Sequence, residues 1–130
     1  MVVKTRKSKL WKLWKLVFPK ADMANMWLTF NKTVWTPGYI TSDLIKHEYV
    51  HVCQQKSFFG AIVWWIKYYF DKKFRYDQEL KAYRAQLAYL QSKFKDRNKQ
   101  SKMKRKIAEV LSSPFYGNLV SYDEAFQDLS

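Results

Sequence analysis

The chain has a single cysteine, Cys53, among 130 residues. One thiol cannot close an intramolecular disulfide, so a disulfide-stapled secreted fold is excluded and a reducing compartment is the natural setting. Glycine and proline are scarce, three of each, which leaves little chain for low-complexity linkers. No apolar run reaches the roughly 20 residues that a membrane-spanning helix needs, and the uncharged part of the most apolar stretch ends at Lys67. Lysines interrupt every apolar stretch near the N-terminus and no small-residue cleavage site follows, so this region does not read as a secretory signal. The expected location is therefore cytoplasmic. Acidic residues are few, 11 against 24 Lys and Arg, giving a net charge of +13. Such an excess favours an anionic partner, whether nucleic acid, a membrane surface or an acidic protein, without choosing among them.

Histidine is scarcer still. There are two, His47 and His51, and both fall in His47-Glu48-Tyr49-Val50-His51, an H-E-x-x-H stretch. Four residues apart on a helix, the two imidazoles lie one turn above each other and can address one metal ion. Glu48 is turned from His47 by about 100°, near the ion without being a ligand. Two histidines hold a zinc and a glutamate takes a proton from its water in this arrangement. An exposed helix that happens to carry two histidines is the bland alternative.

Around this motif the chain predicts a mostly helical α+β single domain. Residues 1–20 form a basic segment in which Leu10, Leu13, Trp14 and Val17 recur at helical spacing, opposite Lys9, Lys12 and Lys15. A membrane surface or other anionic partner could receive this helix, or it could pack on the domain with its lysines in water. Trp27 to Phe30 and Thr33 to Trp35, separated by Asn31-Lys32, read as a small hairpin or short sheet preceding the metal helix. Its edge could pair with an extended peptide. Ser42 is the expected cap of a helix running from about Asp43 to Lys56 or Ser57. Gln54 falls near its histidine face, and Cys53 is expected to be a small buried residue. Phe58 to Phe74 predicts a largely buried second helix, and a third is expected from near Asp77 to Lys95, with Leu80, Tyr83, Leu87 and Leu90 in phase. Lys93 to Lys106 is strongly basic, and Lys102, Lys104, Arg105 and Lys106 could meet phosphates of nucleic acid or membrane. Ser121, with Glu124 three residues on, opens a last helix.

A catalytic zinc needs a third protein ligand. No third histidine exists, so the extended three-histidine motif is excluded and a downstream carboxylate is the remaining source. Glu79 is the first choice, because its separate helix follows a connection long enough to turn back. Ala82, one turn on, would let that helix approach closely. Asp71 and Asp77 are weaker competitors.

With these residues the chain resembles the gluzincins and, in length, the minigluzincins, very small zinc metallopeptidases or putative metallopeptidases frequent in bacteria and phages. The resemblance rests on a strand at Thr33-Val34-Trp35, the motif helix with Gln54, and Glu79 with Ala82 in that order, and spans roughly residues 26–90. It implies that residues 21–130 form one such domain, and that His47, His51 and Glu79 ligate Zn2+. Glu48 would be general base and later acid. The strand at Val34 would align a peptide or protein substrate, and Tyr83 or Tyr116 would stabilise the oxyanion. It adds a virion-associated location as an alternative. One departure is plain: the thermolysin branch places an aspartate four residues after the ligand glutamate to orient a histidine, and Tyr83 stands there instead.

Two other readings compete. Glu48-x-x-His51 also fits half of a di-iron carboxylate site, but such sites need two pairs and further glutamates. The rival from another class is a non-catalytic basic protein that binds nucleic acid or an anionic membrane, with a structural or vestigial metal site. Oligomeric state is not legible in the sequence.

Overall fold

The computed structural model describes residues 1–5, 12, 16 and 25–130. The expected N-terminal amphipathic stripe, Leu10, Leu13, Trp14 and Val17, lies outside the described residues, as does the boundary at residue 20. What is described is mostly helical, with a small sheet ahead of the helix that carries the H-E-x-x-H motif, as the α+β reading anticipates.

Three short strands form the sheet: β1 Val2–Lys4, β2 Leu28–Phe30 and β3 Thr33–Trp35. β2 and β3 make the expected hairpin, with Asn31 at φ +53° in the turn, a conformation asparagine tolerates better than most residues. β1 was not expected. It pairs parallel to β3, so the order is β1-β3-β2 and β3 is the central strand. Both of its edges are occupied, and Val34 is fully buried. The expectation that this strand offers a free edge at Val34 to a substrate is therefore corrected: its backbone groups already pair within the sheet.

Five α-helices and one short 3-10 turn follow. Helix α1, Ser42–Gln55, carries the motif; Thr41, not Ser42, is its capping residue, and Asp43 sits in the first turn. Helix α2 spans Phe58–Phe70 and is capped by the Ser57 hydroxyl, which accepts from the Gly60 amide. The α1–α2 corner is tight. A Cβ on Gly60 would lie 2.2 Å from the Gln55 carbonyl oxygen, so only glycine fits. Helix α3, Lys72–Lys93, starts about five residues earlier than its periodicity suggests, because Asp71 caps it by accepting from the Phe74 amide. Helix α4, Arg97–Leu111, is capped in the same way by Asp96. The Pro114–Tyr116 turn ends at Gly117, and α5, Tyr122–Asp128, has the expected Ser121 cap.

Helix α3 is the central element. Its C-terminal two-thirds place Leu80, Tyr83 and Leu87 against Ile107, Ala108 and Leu111 of α4, with Tyr116, Ala125 and Leu129 closing the cluster. Two burial expectations fail. Cys53 is exposed, since it is turned about 200° from His51 and α1 buries the histidine side. Helix α2 is buried along one stripe only, Ala61, Trp64 and Tyr68, and leaves the rest of its apolar surface open. Among the described residues no helix is long and apolar enough to cross a membrane.

Candidate metal centre

Helix α1 buries polar side chains, His47, Glu48, His51 and Gln55, where a helix normally buries apolar ones. Such burial is costly unless each group finds a partner. Gln55 meets the sheet: its Nε2 donates to the Thr29 carbonyl and its Oε1 accepts from the Asn31 amide. Glu48 also turns to the sheet, at Thr29, while His47 and His51 face α3, where fully buried Ala82 presents no bulk and Glu79 is buried beside it.

The two histidines and Glu79 converge. His47 Nε2 and His51 Nε2 are 3.1 Å apart. Glu79 Oε2 lies 3.4 Å from His47 Nε2, and its Oε1 lies 3.6 Å from His51 Nε2. Ligands 2.0–2.1 Å from a tetrahedral zinc are separated by about 3.3 Å, so these spacings fit one ion. The donor set points the same way. His51 Nδ1 is 2.8 Å from Gln54 Oε1, which can only accept, so Nδ1 carries a proton and Nε2 is the nitrogen left to bind a metal. Glu79 Oε2 is buried and has no hydrogen-bond donor. His47, His51 and Glu79 form a His/His/Glu zinc site of the gluzincin H-E-x-x-H type. Among the described residues no second His/Cys/Asp/Glu cluster exists, so the di-iron reading fails.

A surrounding layer holds these ligands. Gln54 donates from Nε2 to the Gln78 carbonyl, tying α1 to α3, and so serves a ligand histidine. Tyr68 of α2 donates to Glu79 Oε1 at 2.6 Å. Trp64 Nε1 donates to Gln78 Oε1, and its ring lies against His51. His47 is held differently. Its Nδ1 has no hydrogen-bond partner, and the ring instead meets Tyr83 edge to face, centroids 4.3 Å apart. Tyr83, at the position of the thermolysin-branch aspartate, thus orients this histidine by packing.

Charge at the site follows from burial and proximity. Burial disfavours the charged form of His51, but the Glu79 carboxylate outweighs it and raises the imidazole to about 9. Burial likewise works against the Glu79 carboxylate, yet His51 and His47 hold it well below the ordinary range. Without metal His51 and Glu79 form an ion pair, and a metal must displace the His51 proton.

The remaining residues open onto a cavity of about 480 Å³. Glu48 and His47 line it together with Tyr83, Tyr116, Met26, Trp27 and Leu44. Glu48 Oε2 accepts from the Thr29 hydroxyl at 2.6 Å, which fixes the carboxylate. Tyr83 and Tyr116 share a hydrogen bond of 2.8 Å between their hydroxyls. Burial and the Glu79 charge raise both phenols, so both keep their protons.

Other candidates do not join this site. Val34 sits in the middle of the sheet and does not line the cavity. Asp71 caps α3, and Asp77 is exposed. Lys102, Lys104, Arg105 and Lys106 lie on α4 and none lines the cavity; Lys104 donates to the Ser130 hydroxyl and lies over the Phe126 ring. Sequence reasoning missed Tyr68 and Thr29. Tyr68 is hidden in an aromatic run with no local mark. Thr29 had one faint signal, a hydroxyl between apolar neighbours in a strand.

No family model, curated protein or solved structure matches the chain.

Proposed function

We propose that the chain is a gluzincin-type zinc peptidase acting on a peptide or protein substrate in the cytoplasm. One observation carries this reading: the His47, His51 and Glu79 cluster reaches through His47 into a cavity that is also lined by a carboxylate that is not a ligand, Glu48, and by the hydrogen-bonded tyrosines Tyr83 and Tyr116. When bound, zinc lowers the pKa of a water it holds and polarises a carbonyl. Glu48 follows His47 on α1, and Thr29 engages one of its oxygens while the other is left to take a proton from the attacking water. The same carboxyl then returns that proton to the leaving amine. In the tyrosine pair one hydroxyl donates to the other, which leaves a second proton for an oxygen gaining charge in the cavity. Met26, Trp27, Leu44 and Phe115 give the cavity apolar walls, suited to an apolar side chain beside the scissile bond. β3 has no free edge, so the cavity must orient the substrate without it.

The test is metal content of protein purified without added metal, followed by peptide cleavage by the parent and by Glu48→Gln. One zinc per chain is expected in both, with cleavage by the variant reduced by roughly 10²–10⁴-fold or more. Equal cleavage by the variant overturns the role of Glu48. Salt-sensitive DNA binding with neither zinc nor cleavage returns the chain to the basic binding class.

A further inference from the structure

Helix α2 has two unlike sides. Ala61, Trp64 and Tyr68 face the protein. On the other side, at 100° per residue, six apolar residues, Phe58, Ile62, Ile66, Phe59, Phe70 and Val63, fill one arc of about 140°, with Tyr69 the one polar-tipped residue among them. Phe59 and Phe70 are 78% and 77% exposed, and Ile62, the most covered of the six, is still 39% exposed. No charged residue interrupts the arc. Its rim is basic: Lys56 before the helix, Lys67 at the edge of the arc and Lys72 and Lys73 beyond it are all exposed. The one acid among them, Asp71, is engaged in capping α3.

We propose that this face of α2 docks on an anionic lipid surface, the helix lying in the headgroup plane. An apolar arc with lysines at its margin is the pattern of an interfacial helix, whose lysine stems reach back to lipid phosphates. At 13 residues the helix is about 20 Å long, too short to cross a bilayer. Charge chooses the occupant. A second copy would bring a like lysine rim and a like +13 charge against the first. A specific protein partner needs several polar groups within the contact to fix its register, and the arc offers one, the Tyr69 hydroxyl, whereas a bilayer needs none and accepts a tyrosine at its interface. No residue lining the cavity comes from α2, so docking leaves the cavity open. The inference is independent of the peptidase reading.

The experiment is flotation of the full chain with vesicles of phosphatidylcholine alone or with about 30% phosphatidylserine. Comparison is with a variant carrying Phe59→Ser, Ile66→Ser and Phe70→Ser, its fold checked by circular dichroism. The parent is expected to float with the anionic vesicles at least about tenfold better than with neutral ones, and the variant to lose at least about tenfold. A second readout places an environment-sensitive dye at Phe59→Cys in a Cys53→Ser background; its emission should shift to the blue on anionic vesicles only. Absence of flotation overturns the proposal. So does equal flotation of the triple variant, which would assign binding to the basic segments alone. A parent that is dimeric and a variant that is monomeric would make the face a contact between copies and also overturn it.

Discussion

Two buried faces of α3 are stabilised by different physics. One buries Gln78, Glu79 and Gln86, and its neighbours α1 and α2 answer with His47, His51, Gln54, Asp43 and Tyr68. The other buries Tyr76, Leu80 and Leu87 against Ile107 and Leu111 of α4. The first face is a network of directed polar contacts that is complete only around a cation. The second is ordinary apolar packing, indifferent to metal and nearly so to pH. A single domain thus carries one part whose stability is conditional and one whose stability is not.

The sharpest way to separate them is a cavity in the apolar part. Leu111→Ala removes a fully buried side chain and should cost about 2–5 kcal/mol, equally with and without zinc, in denaturant unfolding. A cost that vanishes on adding zinc would mean that the two faces are not distinct.

Acidity should then act on the polar part alone. His51 rises from an ordinary 6.5 to about 9 in the metal-free fold. Its ion pair with Glu79 therefore contributes fully below pH 6.5 and is lost as pH climbs through about 9, an effect on the order of a few kcal/mol. Glu79 carries the opposite sign: its contribution is present above its ordinary 4.5 and fades only as acid reaches its depressed value. The melting temperature of metal-free protein should fall between pH 6.5 and 9. Zinc affinity should rise by up to about tenfold per pH unit over the same window, as the competing proton leaves.

A finer cut lies inside the metal cluster, between its two histidines. Gln54→Leu deprives His51 of the group that fixes its tautomer and should weaken zinc binding by about 10–100-fold in a competition titration. Tyr83→Leu, which takes the aromatic edge from His47, should cost less zinc affinity than Gln54→Leu, because the hydrogen bond it removes goes to Tyr116 and not to a ligand. The reverse order would show that packing is the stronger restraint. Smallest of all, Cys53→Ser on the exposed side of α1 should change unfolding free energy by less than about 0.5 kcal/mol.

The metal site was legible because its information is periodic and local. Four-residue spacing puts His47 and His51 on one side of α1, and Glu79 with Ala82 marks the facing turn of α3. The hairpin was equally legible from Asn31-Lys32 between two β-branched and aromatic runs. β1 was not, since Val2–Lys4 is too short to show a period and pairs with a strand about thirty residues away. The burial of α2 was misread for a related reason. A run that is apolar on every side announces helix without saying which arc is covered, and that depends on what packs against it. Tyr68 reaches Glu79 only through the turn between α2 and α3, so no pattern along the chain could name it.

Gly60 gives the corner after α1 a consequence for anyone altering this protein. One absent methyl lets the first turn of α2 rest on the Gln55 carbonyl, whose side chain in turn grips the sheet. Saturation mutagenesis at position 60 should return glycine alone, since even alanine must pry the two rods apart and carry the histidines out of alignment with their carboxylate.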